Sequence, residues 1–359
     1  MTTSPVRVGL IGAGMIAQVM HLPHLLELPD RFSVTAICDL SLGTARAVAA
    51  KYGAPQVFTD HRVMLESADL DAVLVLTRDH ARPAIDAARA GKHILVEKPL
   101  CNNLAEADEL IDTVAASGVV GMVGHHKRYD PGYVAGRKAI QRLENPHLIR
   151  LHDVIGPNSG FLEHYDLIRV DDVDAGLLQR LQQEHLASLE VAIGRQPEPV
   201  MRAYQLFLGL NTHDMTILHG AVGLPERVVS TEIWAGGRAA AAILAYPGDL
   251  RCVFETAIVP GLRKFDESLT VYSPDKVVSI VFPSPFLKNA ATLVEEWEMT
   301  ENGYRESQTT ASYEEAFKLE LIHFHECITE GKTPHTPLSE ARADLALLIE
   351  MIKAFRGSE

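Results

Sequence analysis

A β-branched run, VRVGLI, stops at Gly12-Ala13-Gly14-Met15-Ile16-Ala17, a G-x-G-x-x-A spacing set directly before a helical stretch. No other feature of the chain constrains its fold as much. Gly12 permits a tight turn, Gly14 leaves a stretch of backbone that a ligand can approach, and Ala17 lets a helix pack close against the strand it follows. From Val6 to Val123 the further runs SVTAICD, DAVLVLT, KHILVE and GVVGMV alternate with helical stretches. Between the last two, Leu104, Ala107, Leu110, Ile111 and Val114 recur at helical spacing and Gly118 follows as a stop. This alternation predicts βαβ units and a doubly wound parallel sheet, an α/β Rossmann domain over residues 1–126.

After Lys127 the pattern changes. LIRLHDV, RVVSTEIW, AAAILAYP, LRCVFETAIV, ESLTVYS, KVVSIVF and LVEEWEMT follow one another with few helices between them. Consecutive strands predict a mainly antiparallel sheet, hence an α+β domain over 127–337. Phe317, Leu321, Phe324 and Ile328 mark one closing helix; Leu345, Leu348, Ile349 and Ile352 mark another, over 338–359, expected to pack back near the Rossmann domain. A stretch from about Asp166 to Ala203 is rich in Leu, Gln, Glu and Ala and reads as helical. A surface helix is the simpler expectation for it, a lid over the substrate the alternative.

A chain of 359 residues with 47% hydrophobic residues can bury two cores, and no apolar run is long enough to cross a bilayer. The net charge of −14 disfavours nucleic acid, which is bound by cations that neutralise phosphates. MTTSPVRVGLIGAG lacks the basic start and separate apolar stretch of a signal peptide, so a cytoplasmic location is expected, with no membrane partner. Cys38, Cys101, Cys252 and Cys327 form no Cys-x-x-Cys pair, which indicates neither disulfides nor zinc. The close pairs His21/His24, His125/His126 and His323/His325 lack a completing carboxylate, and no metal is expected.

A glycine turn opening a helix offers free N–H groups to phosphates, so the first loop predicts a dinucleotide site. Asp39, at the end of the second run, would accept hydrogen bonds from the adenosine ribose hydroxyls and repel a 2′-phosphate. NAD is therefore expected over NADP, although Arg46 could reach a phosphate. His125, His126 and Arg128 follow the fifth strand at its carboxyl end, where ligands bind in such sheets.

The chain resembles the Gfo/Idh/MocA family, the glucose–fructose oxidoreductase and inositol dehydrogenase group. The resemblance rests on GLIGAGMIA, Asp39, His80 before a helix ending in AGKH, EKPL at 97–100, Arg128-Tyr129-Asp130-Pro131, and Thr212-His213-Asp214 with the following LHGAVGLPERVV. It implies an open antiparallel sheet in the second domain, homo-oligomers (a dimer or tetramer), and a sugar, polyol or related hydroxy compound as substrate. It also implies that Lys98 lies near the nicotinamide and that His213 takes part in proton transfer. Both assignments suit the chemistry, since alcohol oxidation needs a base, and a partly desolvated lysine can relay a proton or hold an alkoxide. The candidate cofactor set is Gly12, Gly14, Met15, Ile16, Asp39, Thr77, His80, Glu97 and Lys98. The candidate substrate set is Lys98, His126, Arg128 and His213.

One departure stands out. Many members of the family carry an aspartate four residues before that histidine; here the position is Gly209, so either Asp214 or an acid of the 163–174 segment substitutes, or the proton relay differs. An NAD-dependent dehydrogenase or reductase is the leading expectation. The resemblance also allows an NAD-retaining, redox-assisted glycosidase, and Gly209 allows a noncatalytic NAD-binding sensor.

Overall fold

The computed structural model describes residues 4–357. They form two compact units that are not consecutive blocks of sequence. The first gathers the residues up to His125 with 165–192 and 317–343; the second gathers 126–164, 193–316 and the residues from Asp344 onward. The division expected near residue 126 is thus only the first of several passages of the chain, and residues 344–354 of the closing helix cluster with the second unit.

The first unit is built on six parallel strands, β1 (Val6–Ile11), β2 (Phe32–Cys38), β3 (Gln56–Phe58), β4 (Ala72–Val75), β5 (His93–Glu97) and β6 (Gly121–Gly124). Their order is β3-β2-β1-β4-β5-β6. The order reverses between β1 and β4, which opens a crevice at their carboxyl ends where ligands of such sheets bind. Every side chain of β4 is buried, as a parallel sheet covered on both faces requires. The edge strand β3 was not among the expected runs, because its three residues carry no alternation to read. On the opposite edge, Val123 N donates to Thr336 O at 3.0 Å and Thr336 Oγ1 to Val123 O at 2.7 Å, so residues 336–337 cover the outer side of β6.

The second unit is an eight-stranded sheet ordered β14-β13-β12-β11-β7-β10-β9-β8. In chain order these are β7 (Leu148–Ile155), β8 (Arg227–Trp234), β9 (Ala239–Ala245), β10 (Arg251–Ile258), β11 (Phe265–Tyr272), β12 (Lys276–Phe282), β13 (Leu293–Thr300) and β14 (Gly303–Thr310). All pairs are antiparallel except β7 with β10. β14 was not expected: GYRESQTT is polar and almost wholly exposed, an edge strand with no buried face to betray it. The helix Pro131–Ile140 packs on β12 and β13, where a Cβ at Gly136 would stand 2.5 Å from Ile280.

In the 166–203 stretch the helix Ala175–Ile193 and the start of the helix Glu198–Leu206 bear out the helical expectation, while residues before 175 lie outside these helices; residues 165–192 cluster with the Rossmann unit. Among the described residues, no helix is long and apolar enough to cross a membrane.

Candidate active site

The glycine turn is shaped by backbone clearance. Gly12 has φ +104°, and a Cβ there would lie 2.8 Å from the Leu76 carbonyl group at the end of β4. Only glycine fits both the conformation and the approach. Its N–H donates to Cys38 O at 2.7 Å, fastening the turn to β2. Gly14 differs, since a Cβ there would meet nothing within 4 Å. Its missing side chain leaves open a cavity of about 960 Å³ whose walls include Gly12, Gly14, Asp39 and Thr77. That volume lies near the top of the usual range for small-molecule sites, about 300–1,000 Å³, and suits a dinucleotide.

Asp39 does two structural jobs at this cavity. Oδ2 accepts from Ala13 N at 2.8 Å and Oδ1 from Ser41 N at 2.9 Å, so the carboxylate links the glycine turn to the start of the next helix. Each oxygen keeps a further lone pair for a ligand hydroxyl. Thr77 Oγ1 donates to Asp79 O at 2.8 Å. Met15 and Ile16 are half-buried in the helical segment that follows the turn, which contains a π turn at Ala17–His21. Met15, Ile16, His80, Glu97 and Lys98 are not among the residues that line the cavity.

These last residues, apart from Met15 and Ile16, form a corner at the end of β5. Glu97 is 4% exposed; Oε1 lies 2.8 Å from His21 Nε2, and Oε2 accepts from Lys98 N at 3.0 Å. Burial pushes this carboxyl up, but the His21 hydrogen bond and the His21 and Lys98 charges outweigh it and hold the group below its usual range. Glu97 thus fixes the backbone at Lys98, whose own side chain is half-buried. His80 Nδ1 lies 2.6 Å from Pro99 O, and burial lowers the pKa of its ring. Sequence reasoning missed His21, weighed only as a possible metal ligand, and Glu320, which lies buried on the helix Ala316–Glu330. Burial, then the Glu97 charge, raises Glu320 well above its usual value.

In the second unit the rings of His126 and His213 meet edge to face, with centroids 5.0 Å apart. Arg128 is 8% exposed and donates to Thr216 O at 3.1 Å, on the helix Thr212–Val222 that carries His213. A Cβ at Gly220 would lie 2.6 Å from Arg128 Cζ, so the guanidinium is pressed against that helix and positions it. Gly209 is exposed within a π turn, Phe207–Asn211, and a Cβ there would meet nothing within 4 Å. The wider turn also removes the simple four-residue stacking that an aspartate at 209 would use to reach position 213.

Asp214 turns into a buried cluster. Asn211 Nδ2 donates to Asp214 Oδ2 and to Thr256 Oγ1, both at 2.9 Å. Oxygens of Asp153, Asp214 and Glu267 lie within 4.8 Å of one another, and Lys127 Nζ bonds to both carboxylate oxygens of Glu267. The lysine supplies the positive charge that so many buried acids need. Burial, then the Glu267 charge, raises Asp214 to about 7, and burial with the Asp214 charge raises Asp153 well above the usual range. A raised pKa means that the folded state favours the protonated form. The associated stability is present below the ordinary carboxylate pKa and is lost as pH rises through about 7. Asp214→Asn is therefore expected to stabilise the fold at about pH 8, by about 1–3 kcal/mol, and to give a smaller gain at about pH 5. Urea unfolding at the two pH values checks this; an equal effect at both rejects the raised pKa.

Residues 6–125 match the Gfo/Idh/MocA oxidoreductase family in its NAD-binding Rossmann fold. An inositol 2-dehydrogenase of Paenarthrobacter aurescens is 38% identical over 157 residues, 42% of this chain and 46% of the relative. The D-glucoside 3-dehydrogenase of Escherichia coli is 36% identical over 131 residues, 36% of this chain and 37% of the relative. The chain thus spans less than half the length of the curated relatives it matches. Among solved structures, a 3-ketoreductase from Actinomadura kijaniata in complex with NADP superposes with a TM-score of 0.73 at 17% identity, covering 98% of each chain. An oxidoreductase from Thermotoga maritima gives 0.73 at 16% identity, covering 98% of this chain and 96% of that one. At such identities the likeness concerns the fold.

Proposed function

With residues 6–125 the Rossmann domain of the Gfo/Idh/MocA oxidoreductase family, we propose that the chain is an NAD-dependent oxidoreductase acting on a hydroxyl-bearing carbon of a sugar or polyol. The observation that carries the cofactor reading is the open space at Gly14, beside a cavity edged by Gly12, Asp39 and Thr77. The open backbone at Gly14 admits the pyrophosphate, and Asp39 takes the adenosine ribose hydroxyls on its remaining lone pairs. The names of the relatives, an inositol and a glucoside dehydrogenase, support the substrate class.

When bound, the nicotinamide supplies the hydride acceptor. The chain itself must handle the hydroxyl proton. Lys98, its backbone held by Glu97, stabilises negative charge on the substrate oxygen and relays the proton. His213, against the His126 ring, serves as the base. Arg128 acts through the helix that it holds.

NAD is expected to bind at least about tenfold more tightly than NADP, because the Asp39 carboxylate would face a phosphate dianion. Titration of both cofactors tests this, and equal or tighter NADP binding rejects the role of Asp39. A screen of sugars and polyols with NAD, followed by the absorbance of reduced nicotinamide, tests the reaction. A dehydrogenase forms NADH in proportion to product; turnover without net NADH would favour a redox-assisted glycosidase instead.

A further inference from the structure

In a dinucleotide site the acid that ends the second strand holds the ribose 2′-hydroxyl. NADP carries its extra phosphate on that same oxygen. The phosphate must therefore lie beyond Asp39, toward residues 41–44 and the opening of the helix Leu42–Tyr52. Such an opening suits an anion, with a first-turn N–H at Gly43 and hydroxyls on Ser41 and Thr44.

Here another part of the chain already fills that place. Asp172 Oδ2 accepts from Gly43 N at 2.7 Å. Two residues earlier, Val170 N donates to Thr44 Oγ1 at 2.9 Å and Val170 O lies 3.1 Å from Ser41 Oγ. A Cβ at Gly43 would stand 2.6 Å from Val170 Cγ1 and 3.0 Å from Asp172 Oδ2, so glycine is what lets the segment seat. The Ser41 hydroxyl and the Gly43 N–H hold the Asp172 carboxyl below its ordinary range, as they would any anion placed there.

The segment is fastened on both sides of this point. Before it, Ile168 N donates to Gln18 Oε1 at 2.8 Å and Gln18 Nε2 to Ile168 O at 2.9 Å. After it, the helix Ala175–Ile193 places Leu178 and Leu181 in the cavity wall. His185 Nδ1 lies 2.6 Å from Asp79 Oδ1, Arg78 donates to Gln182 Oε1 at 2.7 Å, and Asn103 Nδ2 to Ser188 Oγ at 2.9 Å. Burial raises the Asp79 carboxyl, yet the bonds from His185 and Asn102 overcome it and leave it at about 2. Residues 165–192 therefore form a strap tied beside the cavity, its helix largely exposed as a surface helix is.

We propose that Asp172 is a specificity-determining residue: carried on this strap, it occupies the place that the 2′-phosphate of NADP requires, and so excludes NADP. The proposal rests on the NAD reading above. Asp39 acts at the ribose and Asp172 at the phosphate, which makes the two barriers separable.

The test compares wild type, Asp172→Asn and Asp172→Ala by titration with NAD, NADP and adenosine 2′,5′-bisphosphate. Asp172→Asn keeps an acceptor for Gly43 N and removes the charge. It is expected to lower the NAD-over-NADP preference about tenfold and to tighten the bisphosphate, with the gain shrinking in about 1 M salt as the charges are screened. An unchanged preference in both variants overturns the proposal. So does an equal weakening of NAD and NADP, which would mean that Asp172 only fastens the strap. A wild type that binds neither dinucleotide, or binds NADP as tightly as NAD, overturns the NAD reading itself, and the role of Asp172 with it.

Discussion

Lys98→Ala is expected to lower kcat by about a hundredfold or more while leaving the NAD dissociation constant near that of wild type. The separation follows from how the corner is built. The dinucleotide cavity is walled by Gly12, Gly14, Asp39 and Thr77, and Lys98 is not part of that wall. The residue is tied down through its N–H to Glu97, a bond that alanine keeps. The substitution therefore removes the lysine side chain and keeps that backbone tie. His213→Ala is expected to cost less, because position 209 offers no carboxylate and the 207–211 turn breaks the spacing by which one would orient the ring. The measurement is the rate at saturating NAD, on an active substrate, beside the cofactor dissociation constant. Near-normal turnover in Lys98→Ala rejects the mechanism; near-normal turnover in His213→Ala alone moves the base elsewhere.

Lys127→Met is expected to destabilise the fold by about 3–5 kcal/mol at neutral pH. The lysine is 4% exposed, its Nζ bonds to both oxygens of Glu267, and it lies 5.1 Å from the centre of the Phe282 ring. Burial lowers its pKa, but the charges of Glu267, Asp153 and Asp214 outweigh that and leave it raised. Methionine fills the volume and strands the Glu267 charge in a fully buried site. One further measurement separates this account from simple loss of packing. Adding Glu267→Gln should restore much of the stability. Without that recovery, the ion pair is not what holds this part of the core.

The Rossmann half could be read from sequence because its demands are local. Gly12, Gly14, Ala17 and Asp39 are dictated by a turn, a clearance, a close packing and a strand end, all within one βαβ unit. The two missed strands lacked any local mark: β3 is three residues long, and β14 shows no buried face. The partners of the site were hidden for a different reason. His21 meets Glu97, and Gln18 meets Ile168, only after distant parts of the chain have come together. Helical propensity gave the helix of the strap but not its destination, since its anchors at Gln18, Thr44 and Asp79 lie far away in sequence.

The outer edge of β6 bears on the order in which this protein is made. Thr336 and Pro337 supply the partners of Val123 and Met122, and residues 317–343 belong to the first unit. A ribosome releases the six Rossmann strands early, yet the sheet keeps a bare edge until residue 337 has emerged. Over that interval the nascent domain exposes unpaired N–H and C=O groups, the kind of edge along which chains join one another. Until residues 336–337 return to it, that edge is thus expected to be the part of the sheet most open to aggregation.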